Sequence, residues 1–203
     1  MDGPAIYVEL KAWQGAIGSL LGFGALILGA LFNFHLNRKR DEQLRGEEVI
    51  AITAAIYSEI IIIRRSLARM ANAVGGRYLS MGLREDTFDE HFLKGIALPE
   101  LRLYPALASK VGVLPSNLAF EIVSFYSRAE EAQTWLTRLR EDETRPYSYG
   151  VNYVLDPALE AVNGVLSALR IMEKTAVILD QAGPLDLKRA VSAQSFEREQ
   201  NEN

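Results

Sequence analysis

From Ala12 to Asn37 the chain carries no Asp, Glu, Lys or Arg, and Gly15 to Phe34 is mostly Gly, Ala, Leu, Ile and Phe. At ~1.5 Å rise per residue, about 20 such residues cross a hydrocarbon core of roughly 30 Å. Trp13 stands at one edge, where an amphipathic ring suits the headgroup region. Arg38, Lys39 and Arg40 follow at the other, whereas Lys11 is the one basic residue before the span. The positive-inside bias places the N-terminus outside and the residues after 38 in the cytoplasm, with Trp13, Arg38, Lys39 and Arg40 as interface anchors. A cleaved signal peptide is the rival reading. It calls for a basic leader and a shorter apolar core, and here the basic cluster comes second.

Within the span, Gly15, Gly18, Gly22, Ala25 and Gly29 are spaced three, four, three and four apart, which puts them on one stripe of a helix. Helices in lipid associate through close backbone contact, which small residues permit. The stripe therefore predicts self-association or contact with another membrane subunit, alongside the bilayer itself as partner. The plainer explanation is that glycine and alanine are common in transmembrane helices.

Beyond the span, no strong breaker interrupts the chain until Gly75-Gly76. Val49, Ile52, Ile56, Ile60, Ile63, Leu67, Met70 and Val74 recur at helical spacing. A helix continuing from the membrane is expected, roughly 60 residues and about 90 Å in all, with Gly46 its weak point. A connector with short helices over Thr87–Gly95 and from Pro105 to Val111 comes next. After Pro115, Leu118, Ile122, Phe125, Ala129, Ala132, Leu136 and Leu139 alternate four and three apart, the pattern of an amphipathic helix. Asp156-Pro157 reads as N-cap and first turn of a last long helix burying Leu159, Val162, Leu166, Leu169, Met172, Ala176 and Leu179, closed by Gly183-Pro184. The fold class expected is all-α: one N-terminal transmembrane helix continuing into a cytoplasmic antiparallel three- to four-helix bundle. The boundaries are 1–11 for a short extracytoplasmic N-terminus, 12–37 for the transmembrane helix and 38–76 for the helix continuing from it. The connector takes 77–114, two long bundle helices take 115–183, and the polar remainder, 184–203, reads as a disordered tail.

Chemistry is sparse. The chain has no cysteine and two histidines, which removes thiolate nucleophiles, disulfides and cysteine-ligated metals, and leaves serines short of a base. A net charge of −4 without a basic domain argues against nucleic acid. Walker and Rossmann glycine patterns are absent. Nothing points to a cofactor, a metal or a catalytic residue. Asp86, Glu90 and His91 could be drawn as a metal site, but no His-x-x-x-His or Glu-x-x-His pair supports it, and a solvated acidic connector is the reading preferred. His35, near the end of the span, reads as reaching toward headgroups. Glu59 among isoleucines, with Glu121 and Glu173 beside apolar stripes, is expected to pair with Arg64, Arg128 or Arg170; a raised pKa and acid chemistry is the alternative. Arg145, Tyr147, Tyr149 and Tyr153 form a tyrosine-rich loop, read either as a partner or ligand surface or as a cap on the bundle's open end.

Two stretches carry a resemblance. One is Leu36-Asn37-Arg38-Lys39-Arg40-Asp41 with Leu44-Arg45 after a glycine-rich span; the other is Leu98-Pro99 and Tyr104-Pro105-Ala106, leading to Val111-Gly112-Val113-Leu114-Pro115, Ile122-Val123 and Phe125-Tyr126. Together they resemble small single-pass bacterial inner-membrane proteins to which no activity is assigned. The resemblance covers about half the chain and implies a bacterial inner-membrane location without transferring functional residues. The expectation is an anchored, non-enzymatic accessory, scaffold or assembly subunit; the alternative is a sensor with a ligand pocket near Tyr126, Arg102 and the tyrosine loop.

Overall fold

The computed structural model describes residues 3–82, 87–139, 150–178 and 181–202, with side chains described at 11, 13, 15 and from 18 onward. All regular structure among them is helical. Helix α1 spans Gly3–Met81 and shows no interruption at Gly46. The chain divides into two compact units, Met1–Glu48 and Val49–Asn203.

In the first unit, α1 carries a long apolar surface that no other part of that unit covers. Leu20, Leu21, Phe23, Leu26, Leu28, Leu31, Phe32 and Phe34 are each 60–74% exposed.

In the second unit the α1 stripe is buried as its spacing requires: Ile52, Ile56, Ile60, Ile63, Leu67, Met70 and Val74 all lie in the core. The buried face is wider than one stripe, since Tyr57, Ile61, Ala68, Ala71 and Tyr78 join it. The helix does not stop at Gly75-Gly76. It ends at Met81, where Gly82 takes a left-handed φ of 68° and donates its N–H to the Tyr78 carbonyl at 2.7 Å. Gly75 serves packing instead: a Cβ there would lie 2.6 Å from the Arg189 carbonyl oxygen.

Short elements follow. Helix α2, Glu90–Ile96, is capped by Asp89, whose carboxylate accepts the Phe92 N–H at 2.8 Å. Helix α3, Leu103–Leu107, runs into a 3₁₀ stretch, Ala108–Val113, so it begins two residues before Pro105. Helix α4, Ser116–Arg138, buries Leu118, Ile122, Phe125, Ala129, Ala132 and Leu136 as expected, and also Tyr126.

The last long helix is a correction. It is two helices, α5 at Asn152–Gly164 and α6 at Leu166–Ala176, broken at Gly164-Val165. Asp156 is not an N-cap. Its carboxylate accepts from Gln194 and Arg198, while Pro157 sits inside α5, beyond the first turn. Leu159, Val162, Leu169 and Met172 are buried, whereas Leu166 and Ala176 are half-buried and Leu179 lies outside the described residues. Helix α6 closes at Val177, in the left-handed region at φ 52°, with the Ile178 N–H bonded to the Glu173 carbonyl at 3.0 Å. Gly183-Pro184 falls instead in a strap, residues 181–187, that has no regular structure.

The expected disordered tail is a second correction. Residues Lys188–Glu202 form α7, with Ala190, Ala193 and Glu197 buried. Polar composition misleads here because the seat is built for a slender helix: glycine at 75 lets the α7 backbone approach α1 closely, and glycine at 150 makes room for the Glu197 carboxylate. Helix α5 lies between α4 and α7, and the buried apolar residues of the second unit form one continuous core.

Candidate functional site

The buried acidic side chains of the second unit identify where its polar chemistry is concentrated. Burying a carboxylate is costly unless donors surround it. Three glutamates meet this need in the same way, by collecting backbone N–H groups, two of them at helix starts and one from the chain before α7.

Glu59, on α1 and 7% exposed, is the most enclosed in donors. Its Oε1 accepts from the N–H of Arg102 and of Leu103, and its Oε2 from the N–H of Tyr104 and the hydroxyl of Tyr126, each at 2.8 Å. The first turn of α3 is thus tied to α1 and α4 by one carboxylate. Burial pushes the Glu59 carboxyl up, but the N–H groups of Leu103 and Arg102, the Tyr126 hydroxyl and the Tyr104 N–H together hold it below the usual range. Burial and the neighbouring Glu59 charge push the Tyr126 phenol far up, so it stays a donor. Tyr104 stacks on Tyr126 with ring centroids 3.8 Å apart. Their outer side opens on a groove of about 850 Å³ walled by Leu98, Pro99, Leu101, Val123, Gln133 and Thr137 among others.

Glu173 on α6 accepts from the Tyr57 hydroxyl and from the N–H groups of Gln181 and Ala182, at 3.0 and 3.1 Å. Glu197 on α7 accepts from the Asn152 N–H at 2.7 Å, and from that of Val151. Arg64 complements them from the opposite charge. Only 2% exposed, it donates to the Val162 carbonyl at 2.8 Å and the Gly183 carbonyl at 3.0 Å.

These geometries correct the expected pairings of Glu59 and Glu121, whereas the Arg170 charge does act on Glu173 and favours its ionised form. Glu59 accepts from chain backbone and tyrosine rather than from Arg64. Arg128 reaches Glu160 at 2.8 Å and Glu131 at 3.5 Å, and Glu121 accepts from the Ser167 hydroxyl at 2.6 Å. No local signal could have shown this, because the Glu59 bonds join residues 43 to 67 positions apart.

The tyrosine loop is only partly in view. Arg145, Tyr147 and Tyr149 lie outside the described residues. Tyr153 belongs to α5 rather than to a loop, and its ring lies 4.7 Å from that of Trp135. Of the acidic trio, Asp86 lies outside the described residues, Glu90 pairs with Lys94 at 2.7 Å and His91 is exposed.

In the first unit, the stripe residues Gly15, Gly18, Gly22, Ala25 and Gly29 all lie on α1. A Cβ at Gly15, Gly18, Gly22 or Gly29 would meet nothing within 4 Å, and Ala25 is exposed. Trp13, Arg38, Lys39 and Arg40 are exposed as well, Arg38 pairing with Glu42 at 3.1 Å.

Comparison with models of known protein families, with curated proteins and with solved structures finds no match to this chain.

Proposed function

We propose that the protein is a membrane-anchored, non-enzymatic helical module, an accessory, scaffold or assembly subunit of a membrane complex in a bacterial inner membrane. The observation that carries this reading is the uncovered apolar surface of α1. Leaving its eight large side chains, Leu20 to Phe34, in water would forfeit about 1.5–3 kcal/mol each, roughly 12–24 kcal/mol together. That is comparable to or larger than the ~5–15 kcal/mol net stability of a typical domain. A bilayer removes the penalty. The cationic run Arg38-Lys39-Arg40 sets the N-terminus outside and residues 49–203 in the cytoplasm, as an antiparallel bundle built from α1, α4 and the α5–α6 pair. The open glycine stripe, Gly15 to Gly29, is the face on which a second copy or another subunit packs.

Carbonate extraction of native membranes, followed by native mass spectrometry in detergent, tests both parts. The expected result is retention in the membrane fraction and a defined oligomer or co-purifying partner that is lost on Gly18→Leu with Gly22→Leu. Recovery of the full chain in the aqueous phase would overturn the reading. So would a monomer that the two substitutions leave unaltered.

The groove beside Tyr104 and Tyr126 favours a second reading, a ligand-sensing bundle. A concentration-dependent rise in melting temperature with a small molecule, abolished by Val123→Trp at the groove rim, would support it over the first.

A further inference from the structure

We propose that α7 is a pH-responsive latch, a helix seated reversibly on α1 and α5 and held more tightly in acid through protonation of the Glu197 carboxylate. The inference is independent of the membrane reading.

Helix α7 is attached in a way that suits release. The apolar side chains it buries fully are those of Ala190 and Ala193. The half-exposed Phe196 adds an edge contact with Tyr78, ring centroids 6.1 Å apart, and the rest of the attachment is polar and can be taken over by water. Ala190 N–H donates to Asn72 Oδ1 at 3.2 Å, Asn152 Nδ2 to the Gln194 carbonyl at 3.3 Å, and the Tyr78 hydroxyl to Gln200 at 3.2 Å. The Arg198–Asp156 pair is 58% and 39% exposed. The strap before α7 is fastened separately, Arg64 to Gly183, Glu173 to Gln181 and Ala182, and Asn72 to Asp186 at 2.6 Å. A hinge at Leu187 therefore frees α7 while the strap stays fastened, withdrawing only Ala190 and Ala193 from the core.

Glu197 is the group that makes the seat sensitive to protons. It is 5% exposed and pressed against Gly150, where any Cβ would overlap its carboxylate. Facing it from α5 are Asp156 and the N–H groups of Val151 and Asn152, and from α1 the Tyr78 phenol. On α7 itself, Arg198 and Gln194 direct their donors to Asp156. Burial pushes the Glu197 carboxyl above its ordinary 4.5; the Asn152 and Val151 N–H groups oppose the shift and the Asp156 charge adds to it. A carboxyl raised by docking binds its proton more tightly when docked. Docking is therefore strongest below the ordinary value and weakens as pH rises through the raised one.

The test is hydrogen exchange of the full chain in detergent between pH 4.5 and 7.5, expressed as protection factors for α7 with α4 as internal reference. Wild-type α7 should be better protected at the acid end than at neutral pH, the direction set by a carboxyl that binds its proton more tightly when docked. Glu197→Gln should be flat with pH and at neutral pH at least as protected as wild type. A flat or inverted wild-type profile with α4 unchanged would overturn the proposal. The same holds if Glu197→Gln keeps the wild-type slope or leaves α7 unprotected at every pH. Because the native chain lacks cysteine, the pair Asn163→Cys with Ser195→Cys gives an independent readout in the Glu197 background. Spin labels there should narrow toward one distance in acid, and an unaltered distribution counts against the latch.

Discussion

Removing the Glu59 carboxylate is the perturbation with the most calculable outcome. Each of its four hydrogen bonds is 2.8 Å long, and a bond to a charged group contributes ~1.5–3 kcal/mol net. The simple sum overstates the loss, since the three N–H groups are only part-buried and water can replace the acceptor there. Counting the buried Tyr126 bond in full and each N–H at ~0.5–1 kcal/mol gives a loss of about 3–6 kcal/mol for Glu59→Ala. In a domain of this size that lowers the melting temperature by roughly 6–24 °C. Glu59→Gln keeps one accepting oxygen and should cost about half as much. Circular dichroism melts of the full chain in detergent measure both. A double-mutant cycle with Tyr126→Phe supplies the specific check, with an expected coupling of about 1–2 kcal/mol. Because its donors hold the carboxyl below the ordinary 4.5, this stabilisation is complete above that value and lost as pH falls through the depressed one. A Glu59→Ala melt within about 2 °C of wild type, or a Tyr126→Phe cost undiminished in the Glu59→Ala background, would refute the reasoning.

Three further outcomes are expected. Gly75→Val places a side chain where the Arg189 carbonyl oxygen is 2.6 Å from the Cβ position, so α7 should become susceptible to limited proteolysis while the α4 region stays resistant. Val177→Gly relieves a β-branched residue at φ 52° that is 90% exposed, and should raise stability by about 1 kcal/mol in a denaturant titration. Arg64→Met removes the donors to Val162 and Gly183, and should cost about 2–4 kcal/mol, with the largest rise in amide exchange at residues 181–183.

What could be read in the sequence was whatever repeats along a helix. The α1 stripe from Ile52 to Val74 and the α4 stripe from Leu118 to Leu136 are buried as their spacing demands, because periodicity reports the buried face directly. Helix ends were less legible. Gly75-Gly76 resembles a terminator in sequence, but its lack of a side chain serves a crossing helix over a hundred positions away. Asp156-Pro157 has the form of a helix start, yet α5 begins earlier, at Asn152, with the Val151 and Asn152 N–H groups bonded to Glu197. The glutamate clusters were invisible for the same reason. Glu59, Glu173 and Glu197 are held mainly by backbone amides, and an amide belongs to every residue but proline, so residue identity carries no trace of it.

The strap from Gln181 to Asp186 divides the C-terminal region into two parts of unequal importance. A stop codon placed after Leu187 would delete α7 while Arg64 and Glu173 kept their partners and Asn72 kept its bond to the Asp186 carbonyl. Placed before Gln181, it would take the Gly183 carbonyl from Arg64 and both amides from Glu173, leaving the buried cation with the Val162 carbonyl and the carboxylate with the Tyr57 hydroxyl. Affinity tags, fluorescent fusions and protease sites therefore belong beyond Leu187, and the half-dozen residues before it, for all their lack of regular structure, tolerate trimming least.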